Sequence, residues 1–285
     1  VNVESSAAAE LLTVTLANGQ STSTSLDLLA VAPTIDAFNP PFGPANQPFT
    51  LTITGTNFDA GTTVLVGTQV ETPTIISETE MTVPVASTAA GTLYVRVDHP
   101  NLLRDDAVYA IFAPDERLVF LTAGRFTVQQ IGVGPDLAAA DAICQAEATA
   151  AGAPGTYRAW LSLSAASAST QSPSTTFTQA AGAYRISLGG VVADNWTDLI
   201  DGTLQRPINF HADRSGPSGG YVWTGTNTDG TAMASGTSTC DEWTSNSAAS
   251  TARIGSGTHS TSSWTTFSNN GCATTLGERL YCFQQ

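Results

Sequence analysis

Two kinds of hydrophobic periodicity divide this chain. In the first half, apolar and polar residues alternate in Phe49-Thr50-Leu51-Thr52-Ile53-Thr54, and residues 64–66 and 93–97 continue the pattern. A period of two predicts strands with one buried face. Turn residues such as Asn39-Pro40-Pro41 separate the strands. We therefore expect residues 33–114 to form an all-β sandwich with these side chains inside: Phe49, Leu51, Ile53, Val64, Val66, Val95 and Val97.

The second half contains a helical pattern. Apolar or small residues recur three or four positions apart at Leu137, Ala140, Cys144, Ala148 and Ala151. Asp136 stands where an N-cap is needed, and Gly152 stands where a helix commonly ends. This spacing predicts a helix that turns Cys144 towards the core.

Residues 1–32 look like part of a repeat. Moved forward by 81 positions, residues 1–33 fall on residues 82–114 with their apolar alternation kept. A period near 80 suits tandem β-sandwich units. Residues 1–32 would then be the closing strands of a truncated unit, and Leu12, Val14 and Leu16 would need a partner sheet. Either the chain was cut from a longer protein, or a neighbouring chain completes the sandwich by self-association through residues 1–32.

Charge excludes two classes of partner. The net charge is −14, and all ten basic residues are arginines scattered along the chain. Nucleic-acid binding needs a basic stripe, and docking on anionic lipid needs a basic cluster. No apolar run reaches the 18 residues of a spanning helix, so we expect no membrane insertion. The sequence starts at Val1 without a signal peptide, so we expect that the chain has been processed or cut from something larger.

Four cysteines, Cys144, Cys240, Cys272 and Cys282, lie in the second half. An even number in an acidic, Ser/Thr-rich chain indicates disulfides and an oxidising, extracellular compartment. Three pairings are compatible with the sequence alone. A metal site is the alternative, but the chain has no Cys-x-x-Cys and no histidine at ligand spacing.

Two family resemblances organise the chain. Pro33-Thr34-Ile35, Asn39-Pro40 and Gly55-Thr56-Asn57-Phe58 resemble the IPT/TIG immunoglobulin-like family, whose members in bacterial surface proteins are usually spacers. The second resemblance rests on 155–162, 222–230, Cys240-Asp241-Glu242-Trp243 and Leu280-Tyr281-Cys282-Phe283. These segments are similar to the endostatin branch of the C-type-lectin-like fold and to a related bacterial extracellular family.

The resemblances imply three segments: a truncated IPT/TIG-like unit at 1–32, an IPT/TIG domain at 33–114 and an α+β C-type-lectin-like domain at 115–285. The second resemblance implies the nested bridges Cys144–Cys282 and Cys240–Cys272. Endostatin-like heparin binding is not expected, because the arginines are scattered and outnumbered by acids.

Candidate ligand-binding residues lie in and beside the expected Cys240–Cys272 loop, where this fold varies its binding face. They are His259, Trp264 and Phe267, with Asn227 and Asp229 nearby. Trp160 and Trp223 are expected in the core, whereas Trp264 has polar neighbours and could lie inside or outside.

Neither a cofactor nor a catalytic site is expected. The Glu-Pro-Asn and Trp-Asn-Asp motifs of calcium-dependent lectins are absent, and no Gly-x-Ser-x-Gly occurs. Asp241 and Glu242 are adjacent and would point apart on a strand.

We therefore expect an extracellular bacterial surface protein, a stalk-and-tip adhesin that binds a cell-surface protein or glycan without enzymatic activity. A structural subunit of an extracellular filament or coat is the first alternative, and a calcium-dependent lectin is the second.

Overall fold

The computed structural model describes residues 10–15, 21–26, 31–132, 136–167, 171–234 and 238–285, the first two ranges by their backbone alone. β-Strands predominate over helices in these residues. No helix among them is both long and apolar enough to cross a membrane.

Residues 33–114, called the sandwich below, fold into two packed sheets. Its strands are β3 (Thr34–Asn39), β4 (Gly43–Pro44), β5 (Phe49–Thr56), β6 (Thr63–Val66), β7 (Gln69–Glu71), β8 (Thr74–Ser77), β9 (Glu80–Val85), β10 (Gly91–Asp98) and β11 (Arg104–Phe112). The strand orders are β3-β5-β9-β8 and β4-β11-β10-β6-β7. Leu51, Ile53, Val64, Val95 and Val97 are fully buried, so the predicted register is confirmed, with Phe49 only partly covered.

The predicted strands in residues 1–32 form one hairpin. β1 (Glu10–Thr15) pairs antiparallel with β2 (Ser21–Leu26), and Thr15 faces Ser21 as Asp98 faces Arg104 in the β10–β11 hairpin. When the turns of the two hairpins are superposed, Thr15 falls on Asp98, which is a shift of 83 positions and not the 81 of the sequence repeat. The difference is even, so the period-two alternation of the two segments stays in phase. The side chains of Leu12, Val14 and Leu16 lie outside the described residues, and what covers them stays a prediction.

Residues 115–285, called the C-terminal region below, contain two further sheets and short helices. The strands are β12 (Arg117–Leu121), β13 (Tyr157–Ala159), β14 (Tyr184–Arg185), β15 (Val191–Ala193), β16 (Tyr221–Trp223), β17 (Thr251–Ser256), β18 (Ser268–Gly271) and β19 (Tyr281–Gln284). Their orders are β13-β19-β12-β14-β15 and β16-β17-β18. The helices are α1 (Val128–Ile131), α2 (Ala138–Ala150), α3 (Pro173–Thr176) and α4 (Trp196–Leu199).

Helix α2 is the predicted helix. Ala140, Cys144 and Ala148 are buried along one face, as the spacing indicated. The helix begins one residue later than an Asp136 N-cap would place it, but the Asp136 Oδ1 still accepts a hydrogen bond from the Ala138 N–H at 3.1 Å. Gly152 follows the last turn with a φ of 68°, a conformation that favours glycine.

Two disulfides close the C-terminal region in the nested order that the resemblance implied. Cys144 of α2 is bonded to Cys282 of β19, with a Cα–Cα distance of 5.4 Å. Cys240 is bonded to Cys272, with a Cα–Cα distance of 5.7 Å. The first bridge fastens the helix to the last strand. The second closes the segment that contains β17 and β18.

An arginine of the C-terminal region enters an aromatic cage on the sandwich. The Arg214 guanidinium lies 5.2 Å from the ring of Phe38, 5.5 Å from that of Phe42 and 5.4 Å from that of Tyr109. Its Nη2 also donates a hydrogen bond to the Pro41 carbonyl oxygen. We call this contact the Arg214 latch.

Two polar contacts support the same junction. Glu116 of the C-terminal region accepts the Ala113 N–H of the sandwich at 3.0 Å, and its carboxylate is held within its own region by Arg185, at 2.6 Å between Nη2 and Oε1. Thr92 at the start of β10 donates its hydroxyl to the Leu188 carbonyl at 3.2 Å. The sandwich and the C-terminal region are therefore joined by several contacts besides the connecting chain.

Candidate ligand-binding face

Three aromatic side chains cluster at the surface of the β16-β17-β18 sheet. Tyr221 is 45% exposed and Phe267 is 41% exposed, although both are large hydrophobic side chains. Their ring centroids lie 5.7 Å apart with an interplanar angle of 26°. The His259 ring lies 5.3 Å from that of Phe267. We call Tyr221, His259 and Phe267 the aromatic face.

Backbone pairing fixes the positions of these rings. Tyr221 begins β16 opposite Ser256 of β17, and the Phe267 N–H donates to the Ile254 carbonyl at 2.8 Å. The His259 Nδ1 lies 2.9 Å from the Ser256 hydroxyl, which orients the imidazole. The aromatic face therefore stands on strands and a tight turn, and little ordering is left for a ligand to impose.

Trp264 does not belong to this face, and the prediction that it contacts a ligand is wrong. Its side chain is fully buried, 4.8 Å from Trp160 and 5.6 Å from Tyr281 between ring centroids. The cause is a close approach of two backbones at Gly255, where a Cβ would lie 1.9 Å from the Trp264 carbonyl oxygen. Because Gly255 has no side chain, the turn Ser262–Trp264 can press against β17 and direct the indole inward.

Asn227 and Asp229 form a local turn apart from the rings. The Asn227 amide donates to the Ala232 carbonyl at 3.1 Å, and the Asp229 Oδ1 accepts the Thr231 N–H at 3.0 Å. These bonds stabilise the loop after β16, whereas Tyr221 lies at the opposite end of that strand. The structure thus brings His259 and Phe267 together, adds Tyr221 and leaves Asn227 and Asp229 in a turn.

The Cys240–Cys272 segment starts from a left-handed turn. Cys240, Asp241, Glu242 and Trp243 have φ values of 49°, 51°, 59° and 61°. Trp243 closes the turn through its N–H, 2.6 Å from the Thr239 carbonyl oxygen. L-Residues rarely adopt this conformation in succession.

Side-chain anchors hold that turn in place. The buried Trp243 indole donates to the Ser162 carbonyl at 2.8 Å. The Glu242 carboxylate accepts the Ser164 N–H at 2.7 Å and also the Ser164 hydroxyl. Asp241 and Glu242 lie in this turn and not on the strand that was expected, and their carboxylates have different partners, since that of Asp241 accepts from the Ser250 hydroxyl at 2.9 Å and that of Glu242 from Ser164.

Two arginines, Arg125 and Arg279, lie beside Gly220, the residue before Tyr221, and a third, Arg253, lies on β17. Arg125 lies 3.6 Å from the Glu278 carboxylate, and Arg279 donates to the backbone carbonyls of Thr122 and Ala123. Burial raises the pKa of Glu278, outweighing the opposite effects of Arg125 and of the Asn270 amide. Arg279 is thus held by the fold, and the charge of Arg125, whose side chain is 43% exposed, is balanced by Glu278.

The carboxylates of Asp198 and Asp201 accept hydrogen bonds from the backbone. Asp198 accepts the Asp194 N–H at 2.7 Å, and Asp201 accepts the Thr203 N–H at 2.8 Å. Across the described part of the chain, no group of three or more His, Cys, Asp or Glu side chains could hold a metal ion.

Comparison with known proteins concerns the sandwich. None of the curated proteins matches this chain. Among solved structures, the human TIG domain of nuclear factor of activated T-cells, cytoplasmic 4, is 17% identical, covers 31% of this chain and 94% of its own, and has a TM-score of 0.25.

A Bacteroides ovatus glucan utilization protein, SGBP-B, solved with a mixed-linkage heptasaccharide, is 12% identical, covers 40% of this chain and 32% of its own, and has a TM-score of 0.25. An auxiliary nutrient binding protein of the same species is 16% identical, covers 35% and 25%, and has a TM-score of 0.23. At these sequence identities and TM-scores, the matches give no information about a ligand of this chain. The family model of the IPT/TIG domain matches residues 33–111, almost the whole predicted unit, and the sandwich is therefore an IPT/TIG domain.

Proposed function

We propose that this chain is an extracellular recognition protein whose IPT/TIG domain supports a ligand-binding C-terminal region. The observation that carries the proposal is the aromatic face. Tyr221, at the start of β16, and Phe267, directly before β18, leave large apolar area in water. Exposed aromatic clusters of this kind commonly mark sites of interaction.

The proposal includes a C-type-lectin-like fold of the endostatin-related type for residues 115–285. Its support is the nested pair of disulfides, with helix α2 fastened to β19. The same bridges support an extracellular location, because disulfides persist in oxidising compartments.

Recognition without catalysis is part of the proposal. His211 is buried, with its ring nitrogens 2.7 Å from the Leu121 carbonyl oxygen and 2.8 Å from the Ser218 hydroxyl. His99 is paired with Asp59 in the sandwich, and His259 belongs to the aromatic face. His211 and His259 each contact a serine hydroxyl, Ser218 and Ser256, but the His211 ring is buried with its Nδ1 held by a backbone carbonyl, and the His259 ring is held beside Phe267, so we assign both pairs to the fold.

The test is binding of the whole chain to a panel of fixed bacterial, plant and animal cells. Tyr221→Ala/Phe267→Ala should lose most of the binding. Tyr94→Ala is the matched control, because Tyr94 is 39% exposed but lies on the IPT/TIG domain. Equal binding by wild type and the double variant would show that the aromatic face is not the site. Binding abolished by EDTA would favour the calcium-dependent lectin instead.

A further inference from the structure

We propose that the aromatic face binds a neutral glycan by stacking sugar rings on Tyr221 and Phe267 without calcium. The inference rests on the proposed function and adds the chemical class of the ligand. Three properties of the face lead to it: the low content of charged residues in its segment, its small area and its mixture of flat rings with neutral polar groups.

The segment that carries the face is nearly uncharged. Residues 244–271 contain one charged side chain, Arg253, whereas charged residues make up 12% of the chain. The exposed side chains around the rings include Thr258, Ser268 and Asn269, which are neutral hydroxyls and an amide. The charges near the rings are those of Arg253 on β17 and of Arg125, which is paired with Glu278 beside Gly220, whereas the side chains around the rings are hydroxyls and an amide that suit an uncharged ligand.

The exposed aromatic area is of the size that one or two sugar rings can cover. At 45% and 41% exposure, Tyr221 and Phe267 together present about 170 Å². A protein partner would have to cover about 800 Å² around the two rings, most of it contributed by other side chains. Two ring faces match the apolar C–H faces of one or two sugar rings.

The polar groups are arranged to meet hydroxyls. The His259 imidazole is held through its Nδ1 by Ser256, at 2.9 Å, so the ring is oriented before any ligand arrives. A sugar stacked on the rings would place its equatorial hydroxyls at the rim, where hydroxyl, amide and imidazole groups can donate and accept. Small-molecule sites usually combine a mostly apolar lining with a few precisely positioned polar groups.

The experiment uses an array of neutral and acidic oligosaccharides probed with the whole chain, followed by titration of the best ligand. Neutral glycans should bind, and affinity should change little between low and high salt, because no charges are paired. EDTA should have no effect. Tyr221→Ala and Phe267→Ala should each weaken binding about 10-fold, the cost of losing one hot-spot ring, while Tyr94→Ala should not.

Near-ultraviolet circular dichroism of each variant checks the fold. A preference for acidic glycans, steep salt dependence or equal affinity in all variants would overturn the inference. The cell assay separates this failure from failure of the proposed function. Cell binding that is lost in Tyr221→Ala/Phe267→Ala and after protease treatment, but survives periodate oxidation of the cells, would identify a protein ligand and refute the glycan. Cell binding unchanged in the double variant would refute both.

Discussion

The Arg214 latch should couple the stability of the IPT/TIG domain to that of the C-terminal region. The perturbation is Arg214→Ala. Alanine keeps the Cβ, so the left-handed backbone at this position, with its φ of 72°, is equally strained before and after. Only the guanidinium and its contacts are removed.

The magnitude follows from those contacts. Three rings surround the cation at 5.2–5.5 Å, and a partly desolvated cation–π contact is worth about 1–2 kcal/mol. The charged hydrogen bond to Pro41 adds about 1.5 kcal/mol or more. Because the cation–π energies of one guanidinium with three rings are not additive, we expect Arg214→Ala to lower the free energy of unfolding by about 3 kcal/mol. Arg214→Lys keeps the charge but not the planar group and should lose about half as much.

Calorimetry is the appropriate assay, because all five tryptophans lie in the C-terminal region and their fluorescence would not report on the IPT/TIG domain. Arg214→Ala should lower the melting temperature of the IPT/TIG transition and increase amide exchange around Phe42. Arg104→Ala, an exposed arginine on β11, is the control. A double-mutant cycle with Phe42→Ala isolates the cation–π energy. If Arg214→Ala changes the free energy of unfolding by less than about 0.5 kcal/mol and shows no coupling energy with Phe42→Ala, the Arg214 latch is refuted.

Two further predictions concern the frame of the aromatic face. Gly132→Ala should destabilise the C-terminal region severely in urea unfolding, because the new Cβ would lie 1.7 Å from the Trp243 carbonyl oxygen. Gly271→Ala is the control and should be nearly neutral, because a Cβ at Gly271 has no atom within 4 Å. Equal losses of unfolding free energy in the two variants would contradict this account. The raised pKa of Glu278 means that the folded state holds this proton more tightly, so its contribution to stability falls as pH rises from about 4 towards neutral. Relative to wild type, Glu278→Gln should therefore gain stability over that interval, and parallel pH–stability curves would contradict the burial argument.

Sequence patterns predicted the parts of the fold in which side-chain period and burial agree. Leu51 and Ile53 alternate with threonines, and an exposed Thr50 beside them confirms the register. Cys144 lies on the buried face of α2 for the same reason. In each case one local period decides which side is covered, and no distant contact has to be known.

The candidate site was less predictable, because distant contacts decide which aromatic residue stays in water. Trp264 has polar neighbours in sequence, yet Gly255 lets its turn press inward. Tyr221 precedes two fully buried residues, Val222 and Trp223, and is itself a large hydrophobic residue. It is exposed because it begins β16, at the edge of the core. The glycine before it was the available signal that the chain turns at that point.

The left-handed turn at Cys240–Trp243 explains how a Ser/Thr-rich segment can present a rigid face. Its sequence contains neither glycine nor asparagine, and four such residues cost about 1–2 kcal/mol each. The conformation persists because one end is bonded to Cys272, directly after β18, while the Trp243 indole and the Glu242 carboxylate are bound in the core. Folding therefore bears the cost of ordering this segment before any ligand arrives. Since association must otherwise overcome that ordering cost, a small uncharged face can bind usefully through two rings and a few hydroxyls.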